Sequence, residues 1–110
     1  MTRMWLGVEP AELCDQHLLG EHKELHQLVG SINAGIRLGK LEDFVETAEI
    51  NDRHAAIVAE MERRDMNHQS PIVYADHGRN GGDVDRDKSR KDLRERCDDC
   101  RERMRTEAIA

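Results

Sequence analysis

Residues 10–33 read PAELCDQHLLGEHKELHQLVGSIN, and their spacing decides the fold class. Cys14, Leu18, Leu25, Leu28, Val29 and Ile32 recur mostly at steps of three and four or their sum, the period of an α-helix with one buried face. Pro10, after Glu9, suits a first helical position. Gly30 and Gly35 loosen the far end, and Gly39-Lys40 is a turn. The first helix is therefore expected at about 10–33. Leu41 to Val45 reads as one helical turn. A second helix is expected at about 48–64, with Ile50, His54, Ile57, Val58 and Met61 as its buried stripe. Arg63 and Arg64 in its last turn suit the negative end of the helix dipole. Ile72-Val73-Tyr74 reads as extended. The stretch 76–83, with Gly78, Gly81 and Gly82, reads as a flexible loop.

The tail from Val84 to Ala110 carries nine basic and eight acidic residues. Leu93, Cys97, Cys100 and Met104 fall at steps of four, three and four, which predicts a charged third helix at about 84–106 leaning on the other two. The expected architecture is all-α: a compact three-helix single domain over 1–110, with residues 1–9 as an N-terminal arm.

Composition sets the outer limits. The length of 110 residues suits one domain, and 37% apolar residues can build only a small core. No run of 18 apolar residues is present, so no membrane helix is expected. The first residues lack the apolar region of a signal peptide, so an intracellular protein without disulfides is expected. The formal net charge is −6. On charge alone nucleic acid is a poor partner, because phosphate binding is dominated by Lys and Arg. Yet 13 of the 17 basic residues are Arg, the side chain suited to forked phosphate contacts.

The first helix carries a second line of residues. His17, Gly20 and Glu24 share one face. Gly20 costs about 1 kcal/mol relative to Ala inside a helix, a cost that close approach of another molecule would explain. Taken alone, His17 and Glu24 are most simply solvated polar residues beside the core. The order of the surrounding motifs changes that weighting. Met1-Thr2-Arg3, Glu12-Leu13, Asp15-Gln16-His17-Leu18 and Glu21-His22-Lys23-Glu24-Leu25 resemble the pyrimidine-dimer DNA glycosylases, the small phage-type UV endonucleases. The likeness is clear over residues 1–32. A fainter echo covers Gly39-Lys40 to Phe44 and Arg53 to Arg64.

This resemblance implies a DNA repair glycosylase with AP-lyase activity on pyrimidine dimers or abasic sites. Met1 would be removed and the α-amine of Thr2 would be the imine-forming nucleophile. An α-amine titrates at about 7.7–8.0, so a useful fraction is neutral at physiological pH. Glu24 would be the catalytic carboxylate. Arg3, His17 and Lys23 would bind DNA or substrate, as would His26, which with Gln27 stands where the family has a Pro-Arg pair. No cofactor is implied for catalysis. The implied partner is damaged double-stranded DNA, bound by a monomer that a virus could encode. The family's aromatic-rich tail has no counterpart here, because Trp5, Phe44 and Tyr74 are the only Trp, Phe and Tyr in the chain. A chain that keeps lyase chemistry on abasic DNA without dimer recognition therefore stays open.

The cysteines support a second line. Cys97-Asp98-Asp99-Cys100 and Cys14-Asp15-Gln16-His17 are two ligand pairs at metal-site spacing, and together could hold a tetrahedral structural zinc. The plainer reading makes all three cysteines small apolar residues of the helix stripes. Zinc would compete with a catalytic role for His17. The alternative function is a non-enzymatic zinc-stabilised helical module that binds DNA or protein. His22 and His26 are four apart and could pair on a metal, but suit solvent or DNA equally. His54 reads as a core or edge residue.

Overall fold

In the computed structural model, residues 3–34, 45–66 and 84–109 are described. Four α-helices are found among them: α1 (Asp15–Asn33), α2 (Ile50–Arg63), α3 (Arg86–Arg96) and α4 (Asp98–Ile109). Short 3-10 turns at Pro10–Glu12 and Thr47–Glu49 precede α1 and α2. The described residues are all-α and compact, but the three-helix expectation is corrected to four. The expected turn at Leu41 to Val45, apart from Val45, lies outside the described residues, as do the extended Ile72-Val73-Tyr74 and the loop at 76–83.

Both departures in helix count and limits have identifiable causes. Pro10 begins only a single 3-10 turn, stabilised by the Glu12 carboxylate accepting from the Glu9 N–H at 2.9 Å. Leu13 and Cys14 are then extended, with ψ of 140° and 166°. Arg64 holds this break open by donating to the carbonyls of Pro10, Ala11 and Leu13. The first α-helix therefore starts at Asp15, not near residue 10. The expected third helix is interrupted at Cys97, whose φ of −131° and ψ of 110° are extended. Its N–H closes α3 on the Leu93 carbonyl, and its own carbonyl accepts the first bond of α4 from Arg101. Acidic Asp98 and Asp99 then occupy the favourable first turn of α4.

The expected stripes form the core, except that Val58 is only half-buried and stands outside it and Cys97 packs against it from a half-buried position. Leu18, Leu25, Leu28 and Ile32 of α1 pack with Ile50, Ile57 and Met61 of α2 and with Leu93, Cys100 and Met104. The arm is part of that core, because Met4, Trp5, Leu6 and Val8 are all buried. A buried ion pair fastens it. Arg53 donates to both carboxylate oxygens of Glu21, at 2.6 and 2.9 Å, and to the Val8 carbonyl at 2.7 Å. Glu21 also accepts from the Trp5 N–H at 3.2 Å. One pair thus links the arm, α1 and α2. The arm is joined to α3 by Arg90, which donates to the Gly7 carbonyl and to both oxygens of Glu12. No helix is long and apolar enough to cross a membrane among the described residues.

Gly7 lets the arm pass under α3. Its φ is +92°, and a Cβ there would come within 2.6 Å of the Arg86 carbonyl oxygen. Gly7→Ala is expected to lower stability by about 1–3 kcal/mol from backbone strain alone, with the clash adding to it. Urea denaturation measures this; an unchanged midpoint would show that the arm does not need this turn.

Candidate functional site

The arm, the first turns of α1 and one face of α3 enclose a cavity of about 390 Å³. Its wall includes Arg3 and Trp5 from the arm, His17, Gly20 and Glu24 from α1, and Lys88, Asp92 and Arg96 from α3. His17, Gly20 and Glu24 are the residues whose spacing put them on one face, and Gln16 and Glu21 of α1 line the wall beside them. The α3 contributors are four apart, so they too form a single line. A Cβ on Gly20 would meet nothing within 4 Å. The glycine therefore leaves this stretch of the helix open to the cavity.

Glu24 is half-buried at the cavity. Burial raises its proton affinity above the ordinary carboxylate range, although the Arg3 N–H, 3.4 Å from its Oε2, pulls the other way. That nitrogen is the amide joining Arg3 to Thr2. Thr2 itself lies outside the described residues. The Arg3 side chain turns the other way, donating to Asp92 at 2.9 Å and lying 4.0 Å over the Trp5 ring. Asp92 is also bonded by Lys88 at 2.8 Å. Hydrogen bonds from Lys88 and Arg3 hold the Asp92 carboxyl down at about 2. Arg96 is the second cation on Trp5, at 5.5 Å. The cavity therefore sets three basic side chains against the three carboxylates of Glu21, Glu24 and Asp92.

His17 belongs to two sites at once. Its ring lines the cavity and meets Trp5 edge to face at 6.0 Å. Its Nδ1 faces away, 3.1 Å from Cys14 Sγ and 3.4 Å from Cys100 Sγ. Cys14 Sγ is 3.9 Å from Cys97 Sγ. The four ligand atoms of Cys14, His17, Cys97 and Cys100 all lie within 4.8 Å of one another. For metal–ligand bonds of about 2.0–2.3 Å, a tetrahedron has edges of roughly 3.3–3.8 Å. This Cys3His cluster could therefore hold a metal such as zinc. Backbone N–H groups already point at two of the sulfurs, from Cys14 to Cys100 Sγ at 3.2 Å and from Cys100 to Cys97 Sγ at 3.4 Å. Such bonds orient and stabilise thiolate ligands. Burial, then the charge of Arg96, lowers the His17 pKa, which favours the neutral imidazole that binds metals. The two helix breaks build the cluster, since Cys14 precedes α1 and Cys97 separates α3 from α4.

The remaining expected site residues are dispersed. Lys23 is exposed and is not part of the cavity wall. His26 lies on the opposite side of α1, beside His22 and His54. Lys88, Asp92 and Arg96 were hidden in the sequence by the uniform charge of the tail, though their i, i+4, i+8 register was visible there.

The family model for pyrimidine dimer DNA glycosylases matches residues 1–73. The chain belongs to that family. No curated protein and no solved structure matches it. Membership in the pyrimidine dimer DNA glycosylases implies glycosylase activity with DNA as substrate. The match ends before α3, so the third wall of the cavity and half of the Cys3His cluster come from outside the shared region.

The depressed Asp92 carboxyl makes a signed prediction. Its stabilising contribution should be complete well above the ordinary value of 3.8 and should fade as pH falls toward about 2. The stability difference between the wild type and Asp92→Asn should therefore be constant near neutrality and shrink below about pH 4. Urea midpoints measured across that range test it, and a pH-independent difference would refute the ion triad.

Proposed function

We propose that this protein is a DNA N-glycosylase with AP-lyase activity on pyrimidine dimers or abasic sites. The observation that carries the reading is the approach of the Arg3 N–H, the amide next to Thr2, to the half-buried Glu24 carboxylate at 3.4 Å. An N-terminal amine generated at Thr2 would be one residue from that contact. Its neutral form attacks C1′ of the nucleotide, and the base leaves with the bonding electrons and takes up a proton. The sugar ring then opens, giving an imine between the amine and C1′. The imine acidifies the C2′ proton; its removal breaks the C3′–O bond by β-elimination. Water releases the enzyme.

Glu24 stabilises the cationic sugar and exchanges protons, a role favoured by a carboxyl whose pKa is raised toward the working pH. Arg96, together with Arg3 and Lys88 when they turn from Asp92, supplies the cationic contacts for phosphate, with Lys23 on the flank of α1. The open strip at Gly20 admits the sugar. Neither step uses a metal. DNA binding by so local a basic patch should weaken steeply with salt.

Borohydride reduction should trap a covalent adduct between the Thr2-terminated protein and abasic or dimer-containing DNA. The Met1-retained form and Glu24→Gln should lose at least tenfold in trapping and strand cleavage. Equal activity of either form would sink the assignment. Comparing the two substrates decides whether dimer recognition survives the aromatic-free tail.

The Cys3His geometry favours a second statement about the same molecule. The cluster holds a structural zinc that fastens α3 and α4 to the start of α1. This retains the metal of the alternative zinc-module reading while leaving the glycosylase chemistry in place. His17 then acts as a ligand and cavity wall, not as a proton carrier. Cys100→Ser should lose thiolate-bound metal and lower the melting temperature, whereas chelator should have little further effect on that variant. A metal-free wild type of unchanged helicity would refute the zinc.

A further inference from the structure

A second cluster of metal-binding side chains lies on the other side of α1. His22 and His26 are one turn apart, and His54 reaches them from α2. The rings are gathered closely: His22 and His26 have centroids 4.6 Å apart, and His54 is 5.1 Å from His22 and 5.2 Å from His26. The Nε2 atoms of His22 and His26 are 3.3 Å apart. One ligand nitrogen from each of the three lies within 4.8 Å of the others. Two imidazoles bound to one zinc at about 2.0–2.1 Å in tetrahedral geometry have nitrogens roughly 3.3–3.4 Å apart. The α1 pair already has that separation. The two edges to His54 are within 4.8 Å, about 1.5 Å at most from that separation.

Charge argues the same way. Three protonated imidazoles at this distance repel one another, and the contact between two Nε2 atoms needs at least one to be a neutral acceptor. Neutral imidazole is the form that binds metal. His54 is only 9% exposed, and His22 and His26 are half-buried. A cation here would be held at the seam of two packed helices. We propose that His22, His26 and His54 form a three-imidazole site for a borderline divalent cation such as Zn2+, Co2+ or Ni2+, with its fourth position open to water. All-nitrogen ligation selects these ions over Mg2+ or Ca2+, which take oxygen ligands. Three protein ligands with one open position differ in kind from the closed Cys3His set.

This site is distinct from the glycosylase cavity. His22 and His26 are each two residues from Glu24, about 200° around the helix, and none of the three histidines lines the cavity. The ion would staple α1 to α2 on the face away from the damaged sugar.

Cobalt titration of the untagged, metal-free full chain tests the proposal. Wild type should take up two equivalents. One should give the intense thiolate-to-cobalt charge-transfer absorption of Cys3His coordination; the other should give only weak d–d bands. Separate His54→Ala and His26→Gln variants should each bind one equivalent, with the thiolate band intact and helicity by circular dichroism unchanged. Cys100→Ser should keep the weak-band equivalent. A wild type that takes up only the thiolate-bound equivalent overturns the three-imidazole site, as does a second equivalent indifferent to both histidine variants. Loss of the thiolate band with the weak-band equivalent retained would count against the Cys3His zinc alone. Failure of borohydride trapping with two metals bound would count against the glycosylase reading alone.

Discussion

The Glu21–Arg53 pair is the interaction on which the rest of the described structure depends. Both side chains are nearly excluded from water, with Glu21 1% and Arg53 7% exposed. Two buried charges are costly unless their remaining hydrogen-bonding capacity is used. Here it is used: the carboxylate takes two bonds from the guanidinium and one from the Trp5 N–H, and the guanidinium gives its third to the Val8 carbonyl. The requirement to satisfy the pair fixes where the arm runs. That course brings Arg3 beside Glu24 and presses Trp5 against His17. Breaking the pair would leave one buried charge alone, so the arm has little freedom to choose another path.

Metal chemistry and cavity chemistry meet at His17. One side of its ring faces the cysteines and the other the cavity, where it meets Trp5, whose ring also has the guanidiniums of Arg3 and Arg96 4.0 and 5.5 Å from its centroid. The cavity has a wall from α3, and α3 is joined to α4 at Cys97, a member of the Cys3His set. Holding the cysteines together therefore also holds Lys88, Asp92 and Arg96 opposite Glu24. In a small domain with so few aromatic residues, a metal bound by these four ligands would compensate for a thin core. The metal reading and the glycosylase reading, which first competed for His17, are compatible because they use different sides of the ring.

Much of the helical content was legible. The stripe Leu18, Leu25, Leu28 and Ile32, and the stripe Ile50, Ile57 and Met61, are both buried as their spacing demands. The helix limits were less legible. Pro10 is a good first helical residue, but Leu13 and Cys14 are held extended by Arg64, whose bonds arrive from 51 to 54 positions away. The smooth stripe through Leu93, Cys97, Cys100 and Met104 concealed a break, because an extended residue at Cys97 can keep the next helix leaning on the same core. Of the site, the pairing of His17 with Glu24 across Gly20 could be read from helical period. The cavity's α3 wall could not, since a line of alternating charges looks the same whether it faces solvent or a pocket.

The sequence by itself determined the all-α class and the buried faces, which follow from spacing within one segment, and the family, which follows from a resemblance in the order of its N-terminal motifs; it also placed Cys14–His17 and Cys97–Cys100 at metal-site spacing. Only the tertiary structure decided that those pairs converge, that His54 joins His22 and His26, and that α3 closes the cavity over Glu24. These are meetings between residues 28 to 86 positions apart. Their geometry depends on how helices are turned against one another, and that is set by burial of the core and of the Glu21–Arg53 pair, not by any local pattern.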